Sequence, residues 1–144
     1  MNIYFDMDGT IADLYGVEDW LQYLNEENVY PYATARPMLN MSRLAKLLNK
    51  LRAVGHKIYI LSWTSRTGSP NYCARIADTK RKWLYTHLKS VEFDGVEIIP
   101  YGTPKNEGRE GILFDDEVGN RTRWGEGAYE PNKIFEVLTN LLGT

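Results

Sequence analysis

Short apolar runs alternate along the chain with longer segments in which apolar residues recur every three or four positions. The short runs predict buried strands at 2–5, 57–62, 96–99 and 112–114. The longer segments predict amphipathic helices at about 17–25, 40–54, 74–88 and 132–142. Strands that alternate with helices are typical of parallel β-α-β units. We therefore expect an α/β, three-layer Rossmann-like fold with a central parallel sheet and helices on both faces.

Polar residues end three of the four predicted strands. Asp6 follows the first strand, Ser62 ends the second and Asp115 follows the fourth. In open parallel sheets, ligands bind beyond the carboxyl ends of the strands. We therefore expect a functional site at this edge, with the strand before Asp6 in the centre and the other two strands on either side of it.

The composition is that of an ordinary globular protein. The 144 residues, of which 43% are hydrophobic, suit one domain over 1–144, with a small cap-like insertion at 14–41. The formal net charge of −2 argues against a nucleic-acid coat or a polybasic membrane patch. Cys73 is the single cysteine, and the sequence shows no signal peptide and no apolar stretch long enough to span a membrane. We expect a soluble, cytoplasmic protein.

The string Asp6-Met7-Asp8-Gly9-Thr10 is the most informative motif in the sequence. A lone Asp-x-Asp pair often does no more than cap the following turn, but the full string is far more specific. A carboxylate can attack phosphorus once the negative charge of both partners is offset. Mg²⁺ does this, since it is usually held by one or two carboxylates and by phosphate oxygens. Asp6 and Asp115, delivered by different strands, could share such an ion.

The chain resembles the haloacid dehalogenase (HAD) superfamily of phosphatases. The string at 6–10 is similar to the first motif of that superfamily, and Ser62 is similar to the second motif, a Ser or Thr that ends a strand. Lys105 or Lys80 can supply the lysine of the third motif, and Asp115-Asp116 resembles the acidic fourth motif. The resemblance covers nearly the whole chain. It implies a HAD-type hydrolase fold and a Mg²⁺-dependent phosphomonoester hydrolase that forms an aspartyl-phosphate.

The resemblance also implies a role for each motif residue. Asp6 is the expected nucleophile and metal ligand, and Asp8 the general acid and base, whose backbone carbonyl is a further metal ligand. Because dehalogenases lack this second aspartate, its presence favours phosphate chemistry. Asp116 is either a ligand or a hydrogen-bond acceptor behind the ligands, and we favour the second role. Ser62 and the turn that contains Gly9 and Thr10 are expected to bind the phosphoryl oxygens.

Two lysines compete for the role of phosphate-binding cation. Lys80 lies in Lys80-Arg81-Lys82-Trp83 on a predicted helix, where charges usually mark a solvated face. Lys105 lies in a predicted loop ten residues before Asp115, on the catalytic side of the sheet. A loop lysine there is less easily explained by helix solubility. We favour Lys105, and Lys80 remains a candidate for substrate binding.

A closer resemblance concerns the 5′(3′)-deoxyribonucleotidases of the same superfamily. Lys80-x-x-Trp83 and the spacing of Lys105 to Asp115 look similar to their motifs. Those enzymes carry a sizeable helical cap, whereas segment 14–41 allows one helix and an irregular loop around Pro31 and Pro37. This resemblance implies a small phosphorylated substrate, such as a nucleotide.

Two alternatives remain open. One is a phosphatase for phosphorylated nucleic-acid ends, which predicts a basic track beside the pocket formed by Arg66, Arg75, Lys80 and Arg81. The other is a non-catalytic binding protein on the same fold. Arg66, in the loop after Ser62, could add substrate contacts. A group of aromatic residues in the insertion could stack on a base or could be ordinary packing: Trp20, Tyr23, Tyr30 and Tyr32.

Overall fold

The computed structural model describes residues 1–143. Its strands are β1 (Asn2–Phe5), β2 (Ala12–Asp13), β3 (Arg36–Pro37), β4 (Lys57–Trp63), β5 (Gly95–Ile99), β6 (Ile112–Phe114) and β7 (Ala128–Tyr129). Its α-helices are α1 (Trp20–Asn25), α2 (Tyr30–Thr34), α3 (Met41–Ala53), α4 (Pro70–His87), α5 (Val118–Trp124) and α6 (Ile134–Gly143). Two short 3₁₀ helices lie at Leu14–Gly16 and Pro131–Lys133.

The central sheet is parallel, with the strand order β5-β4-β1-β6-β7. Ile3 of β1 pairs with Ile58 of β4 on one side and with Ile112 of β6 on the other. The expectation that the strand before Asp6 is central, between the strands that carry Ser62 and Asp115, is confirmed. The sequence pattern missed β7, whose two residues are too few to produce a recognisable alternation.

Helices cover both faces of this sheet, which gives the expected three layers. Ile3 and Phe5 belong to the main core, together with the buried leucines of α3 and residues of α4 and α6. The alternate residue Tyr4 points to the opposite face, where its ring meets that of Trp124 of α5 at 5.3 Å. Alternation along β1 therefore supplies both hydrophobic layers.

The helix boundaries follow local capping chemistry. The Asn40 side chain accepts a hydrogen bond from the Arg43 amide at 3.0 Å, and Gly55 after α3 has a φ of +103°, which is unfavourable for residues with a Cβ atom. The prediction that the next helix begins near residue 74 is wrong, because α4 begins at Pro70 with Ser69 as its N-cap. Proline suits the first turn, where its missing N–H has no intrahelical acceptor.

Segment 14–41 is small, as expected, but it is more regular than the sequence pattern indicates. Helix α1 begins at Trp20 rather than near Val17, since Asp19 has a left-handed φ of 61° and ends the preceding turn. Helix α2 was missed because Pro31 argues for a loop, yet it occupies the tolerated first turn of that helix. Strands β2 and β3 pair as a short antiparallel ribbon at the base of the segment.

Across residues 1–143, every helix is too short or too polar to cross a lipid bilayer.

Candidate active site

The carboxyl ends of three neighbouring strands bring Asp6, Ser62 and Asp115 together. Asp6 directly follows β1, and its backbone N–H donates to the carbonyl of Phe114 at 2.9 Å, which continues the pairing with β6. All three polar residues are buried. A buried polar group is costly unless it finds partners, so their hydrogen bonds decide what the site can do.

Asp6, Asp115 and Asp116 form a compact carboxylate cluster. Each offers an oxygen, and these three oxygens lie within 4.8 Å of one another. Burial and the charge of Asp6 raise the pKa of Asp115, and the same two causes raise the pKa of Asp116 to about 8. Neighbouring carboxyl groups are difficult to ionise at the same time unless a cation offsets their negative charge. The donor set, made of carboxylate oxygens, fits a hard divalent cation such as Mg²⁺.

Lys105 bridges two members of this cluster. Its Nζ donates to Asp6 Oδ1 at 3.0 Å and to Asp115 Oδ2 at 2.7 Å. Burial acts to lower the pKa of Lys105, but the charges of Asp6 and Asp115 outweigh it and hold the pKa above its usual value. The Trp63 ring lies 5.3 Å from Nζ, and its indole N–H donates to the Thr103 carbonyl at 2.9 Å. Trp63 thereby fixes the loop that carries Lys105.

Lys80 also lies in the site, although its helix position favours a solvated side chain. Only 1% of Lys80 is exposed, and its Nζ donates to Asp8 Oδ2 at 2.8 Å, to Ser62 Oγ at 2.8 Å and to the Trp63 carbonyl at 2.7 Å. Burial raises the pKa of Asp8, the charge of Lys80 opposes that rise, and the charge of Asp6 adds to it. Both lysines therefore lie in the site, and they bind different members of the Asp-x-Asp pair: Lys105 binds Asp6 and Lys80 binds Asp8.

Asp115 is held by the start of α5. Its Oδ2 accepts from the Asn120 amide at 3.1 Å, its Oδ1 accepts from the Glu117 backbone N–H at 2.9 Å, and Arg121 donates to its carbonyl at 3.0 Å. The sequence pattern did not predict these contacts of Asn120 and Arg121. The one signal that it offered is their short distance along the chain, five and six residues after Asp115.

The turn after Asp6 is shaped by Gly9 and Thr10. Gly9 has a φ of +78°, and a Cβ atom there would collide with the Asp116 carboxylate. Both residues were predicted to bind phosphoryl oxygens, but the Gly9 amide donates to the Ala12 carbonyl at 2.9 Å and the Thr10 amide to the Met7 carbonyl at 3.0 Å. The Thr10 hydroxyl instead donates to Asp6 Oδ2 at 3.1 Å, so this geometry orients Asp6.

A cavity of about 410 Å³ opens above the carboxylates. Asp6, Asp8 and Asp116 form its polar end, and Arg66 lies on its exposed rim. Its other walls are mainly apolar and aromatic, and they include Leu14, Tyr15, Trp20, Leu21, Leu24, Tyr32, Trp63 and Tyr101. Of the four aromatic residues for which base stacking and ordinary packing were left open, Trp20 and Tyr32 line the cavity. Tyr23 and Tyr30 pack against each other, with ring centroids 5.0 Å apart.

Comparison of the chain with models of known protein families gives no match, and comparison with curated proteins gives no significant match. The likeness to HAD phosphatases therefore depends on the motif residues themselves. The structure brings the residues at 6, 8, 62, 105, 115 and 116 to one edge of the sheet. Their arrangement can bind a cation and orient two aspartates for separate tasks. Membership of the superfamily stays a proposal.

Proposed function

We propose that this protein is a Mg²⁺-dependent, HAD-type phosphomonoester hydrolase that forms an aspartyl-phosphate on Asp6. One observation carries the proposal: the two aspartates of the Asp-x-Asp pair have different cationic partners at one strand end. Asp6 is held by Lys105 beside the cluster with Asp115 and Asp116, whereas Asp8 is held by Lys80 outside that cluster. Different surroundings for the two aspartates suit a mechanism in which one of them is the nucleophile and the other is the general acid and base.

Asp6 and Asp115 would hold the Mg²⁺ ion through carboxylate oxygens, with the backbone carbonyl of Asp8 as a further ligand. Asp116, for which the sequence favoured a place behind the ligands, is now included among them because its oxygen lies within 4.8 Å of the other two carboxylates. The ion would offset the negative charge of the phosphoryl group and of Asp6. Lys105 uses two of its three ammonium donors on Asp6 and Asp115, so one donor is left for a phosphoryl oxygen.

The first chemical step is attack of an Asp6 oxygen on phosphorus. The bond between phosphorus and the leaving oxygen breaks as the new bond forms, and the Asp8 proton passes to that oxygen. Burial favours the protonated form of Asp8 that this step requires, because it raises the Asp8 pKa. In the second step a water attacks the phosphorus, Asp8 takes the water's proton, and the Asp6 carboxylate and inorganic phosphate are released.

The cavity favours a small phosphate ester, such as a nucleotide, as the substrate. Its volume of about 410 Å³ suits one small molecule, and its aromatic side chains suit a planar group. A nucleic-acid end receives less support as a substrate, because the residues suggested for a basic track do not form one continuous surface. Lys80 is buried, Arg75 donates to the Glu27 carbonyl and Arg81 donates to the Val96 carbonyl. The cytoplasmic location stays a prediction.

The test is a phosphatase screen with Mg²⁺ over mononucleotides, sugar phosphates and phosphorylated oligonucleotides. We expect release of inorganic phosphate from a small ester, and no release after chelation by EDTA or in Asp6→Asn. The matched control is Asp78→Asn, since Asp78 is an exposed carboxylate on α4 that pairs with Lys82. Turnover of oligonucleotides alone would favour the polymer alternative. Binding of phosphate esters without any turnover would favour the non-catalytic one.

A further inference from the structure

Lys80 occupies a position where a charged side chain is normally costly. It lies on the buried stripe of α4, one turn after Ile76 and one turn before Trp83 and Leu84. An ammonium group without partners in such a place would lose its hydration with nothing to compensate for the loss. The residue is tolerated because the ammonium finds partners at the ends of β1 and β4.

All three donors of the Lys80 ammonium are used within the protein. They point to Asp8 Oδ2, Ser62 Oγ and the Trp63 carbonyl, at 2.7 to 2.8 Å. An ammonium has three donors and no acceptor, so Lys80 has none left for a substrate. The centroid of the Tyr32 ring, 5.4 Å away, lies beside the same ammonium. Lys80 can therefore act on a substrate only through the groups that it holds.

The first of these groups is Asp8. Within residues 1–143, the hydrogen bond from Lys80 to Oδ2 is the only one that the Asp8 carboxyl makes. The Asp8 side chain is 19% exposed and lines the cavity. Fixing one oxygen of a carboxyl leaves the other, Oδ1, to exchange a proton with a bound molecule. A side chain held at one atom also has fewer rotamers to lose when that exchange occurs.

The second group is Ser62. The ammonium can only donate, so Ser62 Oγ must accept from it, and the Ser62 proton must point elsewhere. In the described part of the chain this hydroxyl donates to no acceptor. Ser62 therefore keeps a free donor, which suits a phosphoryl oxygen.

We propose that Lys80 is a positioning residue that fixes Asp8 Oδ2, so that Oδ1 faces the leaving oxygen, and that turns the Ser62 hydroxyl proton toward the phosphoryl group. This role rests on the function proposed above and gives Lys80 a task other than binding the phosphate. Lys80 touches neither the phosphoryl group nor the leaving group. Its removal should therefore impair only steps in which Asp8 or Ser62 takes part.

The test compares Lys80→Met with wild type on two phosphate esters. Values of kcat/KM are measured for p-nitrophenyl phosphate, whose leaving group needs little protonation, and for an alkyl phosphate, whose leaving group needs a proton. Loss of the Ser62 contact affects both esters alike, because both carry the same phosphoryl group. Misplacement of Asp8 affects the alkyl ester in addition, by a further factor of about 10², the lower end of general acid catalysis. The matched control Lys82→Met, on the exposed side of α4, should leave both values unchanged.

A double-mutant cycle separates positioning from a general loss of structure. If Lys80 acts through Asp8, Lys80→Met in the Asp8→Asn background should cost the alkyl ester no more activity than it costs p-nitrophenyl phosphate. Lys80→Arg keeps the charge but not the tetrahedral donor geometry. Its ratio of kcat/KM for the alkyl ester to that for p-nitrophenyl phosphate should lie between the ratios of Lys80→Met and wild type. Equal losses on both esters, or an additive cycle for the loss that is specific to the alkyl ester, would overturn the positioning of Asp8 by Lys80 while leaving the hydrolase proposal intact. A wild-type protein inactive on every ester would overturn both.

Discussion

At the scale of single residues, three carboxyl groups of the site are distinguished by what surrounds them. Asp6 has Lys105 on one oxygen and the Thr10 hydroxyl on the other. Asp8 has Lys80 alone, and Asp115 is enclosed by Lys105 and by the first turn of α5. Chemically identical side chains can carry different tasks when their environments differ in this way.

This difference predicts opposite kinetic outcomes for two isosteric substitutions. Asp6→Asn should abolish turnover and leave no covalent intermediate, because the nucleophile is lost. Asp8→Asn should still be phosphorylated by p-nitrophenyl phosphate, whose leaving group needs little protonation. Hydrolysis of the phosphoenzyme then lacks its base and should slow by about 10² to 10⁴-fold. Mass spectrometry after an acid quench should find one added phosphate on Asp6 in Asp8→Asn.

Asp78→Asn again serves as the control, since Asp78 is exposed and pairs with Lys82 on the solvent side of α4. Substantial activity in Asp6→Asn would mean that a water molecule, rather than a protein carboxylate, attacks the phosphorus. That result would remove the covalent step but would keep Asp8 as a candidate acid and base.

At the scale of elements, Asp94 ties α3 to two strands of the sheet. Its carboxylate accepts from the Ile58 amide of β4 at 2.8 Å and from Arg52 of α3 at 3.3 Å, and its own amide donates to the Ile58 carbonyl just before β5. Hydrogen bonding to Arg52 lowers the pKa of Asp94, burial opposes this, and the Ile58 amide lowers the pKa further. One side chain therefore joins three elements.

We expect Asp94→Ala to reduce the free energy of unfolding at neutral pH by about 1 kcal/mol or more, because the buried Ile58 amide loses its acceptor. The pKa of Asp94 is lower in the folded state, so its stabilisation is present above the unfolded value of about 3.9 and is lost as pH falls through the folded value. Urea unfolding measured at pH 7 and below pH 4 checks this. The difference in the free energy of unfolding between Asp94→Ala and wild type should be smaller in acid than at pH 7.

The matched control for this measurement is Glu92→Ala. Glu92 also pairs with Arg52, at 3.5 Å, but its side chain is 87% exposed, so its removal should hardly change the unfolding midpoint. A deficit in Asp94→Ala that is the same in acid as at neutral pH would show that the charge of Asp94 does not contribute.

The strands and helices also show which parts of the site the sequence could predict. Apolar runs mark where strands end, so the convergence of Asp6, Ser62 and Asp115 was predictable from the pattern. Lys80 was misjudged because its neighbours Arg81 and Lys82 are exposed, although its spacing of four from Ile76 puts it on the buried stripe. A stripe predicts burial of a position, but only the fold supplies the partners that make burial of a charge tolerable.

At the scale of the whole molecule, hydrogen bonds to Ser69 and Tyr72 hold the small insertion beside the edge of the sheet where Asp6 and Ser62 meet. Glu27, whose φ is +55°, accepts from the Ser69 amide at 2.8 Å and from the Ser69 hydroxyl at 2.7 Å. The Tyr72 hydroxyl donates to the Asn28 carbonyl at 2.8 Å. Sequence pattern could not reveal these contacts, because they join residues more than forty positions apart. The insertion thus holds Trp20 and Tyr32 as walls of the cavity.

The proposed metal site predicts that a divalent cation stabilises the whole fold. Asp6 and Asp115 lie on neighbouring strand ends and Asp116 follows at once, and the single charge of Lys105 offsets only part of the repulsion among these three carboxylates. Mg²⁺ should therefore raise the thermal midpoint. The free energy of unfolding should increase by about 2.7 kcal/mol when the Mg²⁺ concentration is a hundred times its dissociation constant. Differential scanning calorimetry with Mg²⁺, and with NaCl at equal ionic strength, measures this increment, which EDTA should abolish. Asp6→Asn keeps an acceptor oxygen for Lys105, presents an amide donor to the Thr10 hydroxyl and loses a charged ligand. Its increment should therefore be smaller, whereas Asp78→Asn should keep the full increment. Equal increments in wild type and Asp6→Asn would place the cation away from Asp6 and contradict the metal site.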